Sequence, residues 1–288
     1  MIPLLVGAIA VLVLLVGIKL AMPRIAPLFV FHPEPLRPRE SEPLFWGFPQ
    51  AQELKLVTED GLELHAWAFS ADSAVPHRGS VAFFHGNAGH VAYRGEIGAR
   101  FAALGLDSLL IDYRGYGLSG GKPTEPGLYL DADAAYRALT EGAGIPPERL
   151  VIAGNSLGSS VAADLASRRP AAAVILLGAL SSTPEIGRRA YPWLPEWMLD
   201  WDEPRFDAVE RAPRITVPVL VGVAAGDRVV PNEESRKVYD AVTSERAWYE
   251  AVGADHGTLT AHPGLWLAID RFLHAALGPP VGERRHAP

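Results

Sequence analysis

Cysteine is absent from the 288 residues of this chain, so disulfides, thiolate metal sites and thiol nucleophiles are all excluded. The 28 glycines and 25 prolines are ordinary numbers for this length, which excludes collagen-like and low-complexity classes. Acidic residues outnumber Lys and Arg by 33 to 26, and no basic stripe is present to neutralise phosphates. We therefore expect no nucleic-acid partner.

Charged side chains are also missing from the start of the chain, where an apolar run begins at Ile2 and continues past Lys19 to Met22. As a helix at about 1.5 Å per residue, this run would be about 30 Å long, which matches the hydrocarbon core of a bilayer. A cleaved signal peptide is the alternative, but no Lys or Arg precedes the run and no small-residue cleavage site follows it. The sequence predicts a retained single-pass membrane anchor over residues 2–22, with Pro23 ending the helix.

The flank of this run suggests an orientation. Four basic residues lie on its C-terminal side: Lys19, Arg24, Arg37 and Arg39. Because Lys and Arg residues beside a membrane-spanning segment tend to remain on the cytoplasmic side, we expect the rest of the chain to be cytoplasmic. Residues 23–50 contain seven prolines and no hydrophobic period, which predicts an extended Pro-rich tether. Residues 278–288 are interpreted as a flexible tail.

The remaining chain alternates strands with helices. Two alternating segments, 53–58 and 62–69, flank Asp60-Gly61, which is a good hairpin signal. Apolar strands are then predicted at 80–84, 107–111, 150–153, 173–177 and 217–223, and helices near 93–103, 127–140, 158–168, 233–242 and 263–276. Continuously apolar strands between helices indicate an α/β fold with a mostly parallel central sheet and helices on both faces. We predict one domain over residues 51–277, with a small insertion at about 181–213.

The sequence Gly-Asn-Ser-Leu-Gly at 154–158 lies between a predicted strand and a predicted helix. It matches G-x-S-x-G in the strand–turn–helix context in which a sharp turn lifts the serine hydroxyl clear of the sheet. Ser156 is therefore the candidate nucleophile. The N–H of Leu157, at the start of the helix, is a candidate oxyanion-hole donor.

A serine nucleophile needs a base and a group that orients the base. His256 lies in a loop after the short strand 247–252, whereas the other histidines lie in less suitable places. Asp227 follows the strand 217–223 and gives the chain order Ser, Asp, His. Asp255 is the competing acid, but adjacent side chains in a loop seldom point at each other. We predict Asp227 as the orienting acid.

A second glycine-rich loop, His-Gly-Asn-Ala-Gly-His at 85–90, follows the strand 80–84. Its backbone N–H groups can converge on an oxyanion, and Asn87 is the favoured donor. We expect no metal there, since neither an HExxH helix nor a suitably spaced carboxylate accompanies the two histidines. Residues 115–120 satisfy G-x-G-x-x-G, but Lys122-Pro123 follows where a helix is needed, so no nucleotide cofactor is expected.

Five segments together resemble the α/β-hydrolase fold: HGNAGH (85–90), DYRGYGLSGGKP (112–123), GNSLG (154–158), VPVLVGVAAGDRVVP (217–231) and GADHG (253–257). The resemblance is greatest to a membrane-anchored serine-hydrolase branch related to prolyl-oligopeptidase-like and serine-aminopeptidase-like enzymes. It covers roughly residues 53–276. It implies Ser156 as nucleophile, Asp227 as acid, His256 as base, and Asn87 with Leu157 as the oxyanion hole.

The combined sequence evidence predicts a serine hydrolase that cleaves an acyl ester or thioester through an acyl-enzyme, without a cofactor. Five aromatic residues in the insertion could line an acyl pocket, lie against the bilayer or cover the core: Tyr191, Trp193, Trp197, Trp201 and Phe206. Of these, Tyr191, Trp193 and Trp197 are the candidate substrate-binding residues. Two alternatives stay open: a peptidase or aminopeptidase-like amide hydrolase, and a non-catalytic membrane-tethered binding protein.

Overall fold

The computed structural model describes residues 2–199 and 204–278. Eight strands form one sheet: β1 Ala51–Val57, β2 Glu63–Phe69, β3 Gly79–Phe84, β4 Leu106–Ile111, β5 Leu150–Asn155, β6 Ala173–Leu177, β7 Val219–Ala224 and β8 Arg246–Ala251. Their order across the sheet is 1-2-4-3-5-6-7-8. Strand β2 runs antiparallel to both β1 and β4, and all other neighbours are parallel. The predicted hairpin and mostly parallel sheet are confirmed.

Nine helices accompany the sheet in the described residues: α1 Ile2–Val30, α2 Gly95–Ala103, α3 Glu125–Arg137, α4 Leu157–Arg168, α5 Thr183–Ala190, α6 Glu196–Leu199, α7 Ala208–Arg211, α8 Asn232–Ala241 and α9 Pro263–Leu277. Side chains of β6 alternate between two hydrophobic cores, because successive residues of a strand point to opposite faces. Val174 and Leu176 pack with α3, α4 and α8, whereas Ile175 and Leu177 pack with α2 and α9. Burial on both faces explains why these strands are apolar throughout.

Helix α1 differs from the prediction at its C-terminal end. It continues through Pro23 to Val30, so the expectation that Pro23 ends the helix is wrong. Within the described residues, no single helix is both long and apolar enough to cross a membrane. Val13–Met22 and Arg24–Val30 meet that requirement as a pair, but they are bent by 53° relative to each other. A proline inside a helix removes one backbone hydrogen bond and causes such a bend.

The segment after α1 packs against the domain, which differs from the extended tether predicted for residues 23–50. His32–Pro33 forms a short parallel bridge with Ala88–Gly89. Leu36 is buried, and two 3₁₀ turns follow at Pro38–Glu40 and Pro43–Trp46. Proline at the first position of each turn needs no hydrogen-bond donor there, so a proline-rich sequence still folds locally.

The predicted insertion contributes α5, α6 and α7, which lie between β6 and β7. Ala26 of α1 packs with Leu199 of α6, and the Phe29 ring lies 6.1 Å from the ring of Tyr191. The insertion and the second half of α1 therefore form one cover beside the carboxyl ends of β5 and β6. The predicted tail falls mostly on residues 279–288, which lie outside the described residues.

Candidate active site

Ser156 occupies the sharp turn between β5 and α4. Its backbone has φ 54° and ψ −120°, a left-handed conformation that is unusual for a residue with a side chain. The turn is crowded: a Cβ added at Gly154 would overlap the Gly158 carbonyl oxygen, and one at Gly158 would overlap the Phe84 carbonyl oxygen. Glycine is therefore required at both positions. The hydrogen bond from Ser156 N–H to the Leu177 carbonyl oxygen, at 2.8 Å, fixes the turn against β6.

The three residues predicted to act together are in hydrogen-bond contact. His256 Nε2 lies 3.1 Å from Ser156 Oγ, and His256 Nδ1 lies 2.7 Å from Asp227 Oδ2. A carboxylate can only accept a hydrogen bond, so Nδ1 carries the proton and Nε2 is free to accept one from the serine. The structure therefore brings together the candidate nucleophile, base and orienting acid from three separate loops.

The loop after β7 holds the Asp227 carboxylate in place. Its second oxygen, Oδ1, accepts hydrogen bonds from the N–H groups of Val229 and Val230 at 2.9 and 2.8 Å. Asp255, the competing acid, accepts hydrogen bonds from the N–H and hydroxyl of Thr258. These bonds lower the pKa of Asp255. Asp227 is thus the carboxylate that faces the imidazole.

The candidate oxyanion donors lie on two sides of Ser156. Leu157 is the first residue of α4, where an N–H lacks an intrahelical acceptor. The 85–90 loop passes directly over the serine, since a Cβ added at Gly86 would lie 3.4 Å from Ser156 Cβ. Asn87 follows in that loop, and among the described residues its N–H has no protein acceptor. Both N–H groups are available to a ligand beside Ser156.

Two tyrosines that the sequence analysis did not predict as site residues support the 85–90 loop through hydrogen bonds to its backbone. The Tyr113 hydroxyl donates to the His85 carbonyl oxygen at 2.9 Å, and the Tyr116 hydroxyl donates to the Asn87 carbonyl oxygen at the same distance. Both belong to the 112–123 segment. The sequence argued against a nucleotide cofactor there but predicted no contact between this segment and the 85–90 loop. The signal in the sequence was weak: two tyrosines lie close together in a glycine-rich loop, and a buried tyrosine hydroxyl usually needs a hydrogen-bond partner.

Buried polar residues lie behind the same loop. Asp112 accepts the Val91 N–H at 2.6 Å and lies 2.7 Å from His65 Nδ1. Burial lowers the pKa of His85 to about 4, although Asp112 opposes the shift, so His85 is neutral near pH 7. Burial also lowers the pKa of His90. Across residues 2–199 and 204–278, no group of three or more His, Asp or Glu side chains has a metal-binding arrangement.

Two cavities meet at Ser156, and Asn87 also lines both. The apolar cavity has a volume of about 210 Å³ and includes Phe29, Val30, Leu180, Ile186, Tyr191 and Val230 in its wall. The polar cavity has a volume of about 580 Å³ and includes Arg94, Glu96, Arg100, Asn155, His256 and Thr260. Among the described residues, His256 lines the polar cavity and is absent from the wall of the apolar one. A bound substrate can therefore place its two halves in chemically different surroundings.

The three predicted substrate-binding aromatics have separate positions. Tyr191 lines the apolar cavity. Trp193 is 73% exposed and touches the edge of the Tyr191 ring, outside the cavity wall. Trp197 lies against Leu15 to Leu20 of α1 instead of the serine, because the insertion turns toward the first helix. Trp201 lies outside the described residues, and Phe206 is fully buried.

Residues 75–206 match the protein family described as serine aminopeptidase, S33. The chain is also similar to an uncharacterized protein of Mycobacterium tuberculosis, with 35% identity over 78% of this chain and 80% of that protein. It is 32% identical to mouse alpha/beta hydrolase domain-containing protein 17C, over 68% of this chain and 60% of that protein.

Solved structures with low sequence identity share the fold. An esterase of Pyrococcus furiosus superposes with a TM-score of 0.69 and 21% identity, covering 86% of this chain and all of that one. A puromycin-hydrolyzing peptidase of Mycobacterium tuberculosis superposes with a TM-score of 0.63 and 20% identity, covering 81% of this chain and 40% of that one. These likenesses show that the chain has the α/β-hydrolase fold. The chain belongs to the same family as the uncharacterized Mycobacterium tuberculosis protein, and the part of it that matches the serine aminopeptidase S33 model is less than half of its length.

Proposed function

We propose that the protein is a serine hydrolase that cleaves an acyl ester or thioester through a covalent acyl-enzyme. The observation that carries this proposal is the hydrogen-bonded chain Ser156–His256–Asp227, with distances of 3.1 and 2.7 Å. Such a chain lets the imidazole take the serine proton during attack on a substrate. This same contact argues against a purely structural binding protein.

Acylation follows from the positions of these atoms. Ser156 Oγ attacks the substrate carbonyl carbon while His256 Nε2 takes the hydroxyl proton. Asp227 stabilises the imidazolium that results. The N–H groups of Asn87 and Leu157 bind the negative oxygen of the tetrahedral intermediate. When the intermediate collapses, His256 returns the proton to the leaving oxygen or sulfur, and the acyl group stays on Ser156.

Deacylation repeats these steps with water. His256 Nε2 removes a proton from the water that attacks the acyl carbonyl, and the oxyanion again binds to the two N–H groups. Collapse breaks the bond to Ser156 Oγ, which regains its proton from His256. The products are a carboxylic acid and the free enzyme.

The apolar cavity favours an acyl substrate over a peptide. Among the described residues, no charged side chain lines it, and its wall is built mainly from side chains such as Phe29, Ile186 and Val230. An aminopeptidase needs an anionic group that binds the substrate ammonium. Glu96 is the single carboxylate lining the polar cavity in the described residues, where Arg94 and Arg100 outnumber it. Esters and thioesters of apolar acids fit these surroundings better.

Amide hydrolysis is the second candidate, and the family description as serine aminopeptidase is the observation that favours it. The same nucleophile and base can cleave an amide if the leaving amine is protonated by His256. The two candidates differ in the substrate that is turned over rather than in the residues used.

The test combines active-site labelling with a substrate comparison. A fluorophosphonate probe is expected to label the wild-type protein and the Ser73→Ala control, whose serine is exposed on a surface loop, but not Ser156→Ala. p-Nitrophenyl hexanoate is expected to be hydrolysed much faster than leucine p-nitroanilide. Equal labelling of Ser156→Ala would contradict the nucleophile, whereas faster release of p-nitroaniline would favour the amide hydrolase.

We also propose that residues 2–22 attach the protein to a membrane, with the domain on the cytoplasmic side. Support comes from the exposed apolar side chains of α1, including Val13, Leu14 and Leu20, which have no packing partner in the domain core. Because the chain lacks cysteine, Ser73→Cys introduces a single reporter on the domain. In intact cells, a membrane-permeant maleimide should label it and an impermeant one should not. Release into the soluble fraction would contradict the attachment.

A further inference from the structure

We infer that the polar cavity binds the leaving group of the substrate and selects one that carries an anionic group, through Arg94 and Arg100. The inference rests on the proposed hydrolase function, because it assigns the two halves of the substrate to the two cavities. It adds a recognition site for a carboxylate or phosphate beside Ser156.

The position of His256 decides which cavity receives the leaving group. In acylation, the imidazole must deliver its proton to the departing atom, so the leaving group lies on the imidazole side of Ser156. Within the described residues, His256 lines the polar cavity and is absent from the wall of the apolar one. The acyl chain then occupies the apolar cavity, and the leaving group occupies the polar cavity.

Charge in the polar cavity favours an anion. Among the described residues, neither Arg94 nor Arg100 forms an ion pair, whereas Arg114 and Arg168 are each paired with carboxylates. Arg100 instead lies over the ring of Trp266, at 5.7 Å. The two guanidinium groups outnumber the single carboxylate of Glu96, so the wall of the cavity has an excess of one positive charge, which attracts an anionic group.

Arg94 also has an unused donor. One of its terminal nitrogens donates to the Ala88 carbonyl oxygen at 3.0 Å, which holds the side chain beside the Asn87 loop. Its Nε is buried and has no hydrogen-bond acceptor. The Glu34 carboxylate accepts from the Tyr93 hydroxyl at 3.3 Å, and Glu34 and Asp112 attract the Arg94 charge without forming an ion pair with it. An unpaired buried donor is costly, and because this Nε has no exposed surface, an anion in the cavity can satisfy it only if the Arg94 side chain shifts.

The relative volumes agree with this division. The polar cavity, at about 580 Å³, is nearly three times the size of the apolar one, at about 210 Å³. At about 30 Å³ for each water-sized group, the apolar cavity holds about seven such groups. The substrate expected from these volumes has a short to medium acyl chain and a larger leaving group.

The experiment compares three thioesters with the same hexanoyl group. Their leaving thiols are 3-mercaptopropionamide, which is neutral, 3-mercaptopropionate and 2-mercaptoethyl phosphate. Thiol release is followed with a chromogenic disulfide. For the wild-type protein, kcat/KM is expected to be about tenfold higher for at least one anionic thioester than for the neutral one, mainly because KM is lower. A factor of about ten is the gain expected from one charge-assisted hydrogen bond. The better anion shows whether the site suits a carboxylate or a phosphate.

Two variants assign the preference to the arginines. In Arg100→Gln, and more fully in Arg94→Gln/Arg100→Gln, the ratio of kcat/KM for anionic over neutral thioester should fall toward one. Arg214→Gln, which removes an arginine remote from both cavities, should keep the wild-type ratio. Raising the salt to about 1 M should also reduce the ratio, because salt screens charge–charge attraction.

The possible failures can be told apart. If Ser156-dependent hydrolysis is equal for all three thioesters, or if the double variant keeps the preference, the anionic subsite is wrong while the hydrolase function stands. If no thioester is hydrolysed and a fluorophosphonate does not label Ser156, the proposed function fails and the subsite fails with it.

Discussion

His32 and Asn87 are joined by two hydrogen bonds, although 54 residues separate them in the chain. The His32 N–H donates to the Asn87 carbonyl oxygen at 2.9 Å, and the Asn87 side-chain amide lies 3.1 Å from His32 Nδ1. The segment that follows α1 therefore holds the loop that carries a proposed oxyanion donor. This contact makes the N-terminal segment part of the structure that supports the candidate active site.

This contact gives the first prediction. His32→Ala removes the side-chain bond and should lower kcat about fivefold, whereas His32→Pro also removes the backbone N–H and should lower kcat further, since each bond contributes about 1 kcal/mol. KM should change little, because Asn87 acts on the transition state. Steady-state kinetics on a p-nitrophenyl ester measure both values. His77→Ala, at an exposed histidine paired with Asp107, is the control. Unchanged kcat in His32→Pro would contradict a positioning role.

The apolar cavity predicts acyl-chain selectivity. Ile186→Trp places a larger ring in the cavity wall, so the preferred p-nitrophenyl ester should shift to a chain that is several carbons shorter. The acetate ester should be affected least. Trp193→Ala, which removes an exposed ring outside the cavity wall, should leave the chain-length profile unchanged. If Ile186→Trp keeps the wild-type profile over acetate to decanoate, the acyl chain does not occupy this cavity.

Asp227 and Asp255 provide a direct comparison of two neighbouring carboxylates. Asp227→Asn should lower kcat by about 10⁴, because the amide cannot stabilise the imidazolium and favours the wrong tautomer. Asp255→Asn should stay close to wild type, since that carboxylate binds Thr258. Thermal unfolding of both variants shows whether they are folded. The reverse order of activities would assign the orienting acid to Asp255.

His85 predicts a pH dependence of stability. Burial lowers its pKa from 6.5 to about 4, so between these values the unfolded chain binds more protons than the folded protein. Its stabilising contribution is therefore complete above pH 6.5 and is lost as the pH falls toward 4. The wild-type Tm should fall between pH 7 and 5, and His85→Gln should show a smaller fall. His77→Gln, at an exposed histidine, should follow the wild type. An identical slope in His85→Gln would contradict this origin.

Local sequence patterns were sufficient for the sheet and for the three residues that meet at the site. Each strand carries its own apolar run, and Ser156, Asp227 and His256 each follow a strand in a short loop. Parallel strands bring their carboxyl ends to one edge, so the order of strands alone places these loops together.

Contacts that depend on packing between distant segments were not predictable in this way. The contact between His32 and the Asn87 loop could be predicted only if the path of the chain after α1 were known. Pro23 led to the wrong helix end because tertiary packing of Ala26 and Val30 extends the helix. Trp193 and Trp197 are aromatic like Tyr191, but their side chains do not line the apolar cavity as that of Tyr191 does. Composition indicated an aromatic cover, and only the fold shows that Tyr191 reaches the cavity beside the serine.

The most direct test of the account is to identify the acyl-enzyme by mass. The protein is mixed with p-nitrophenyl hexanoate, quenched in acid within the first turnover, and analysed as intact protein and as peptides. The account predicts one hexanoyl group per chain, attached to Ser156, and none on Ser156→Ala. Ester hydrolysis at the wild-type rate by Ser156→Ala, or a hexanoyl group on a different residue, would contradict it.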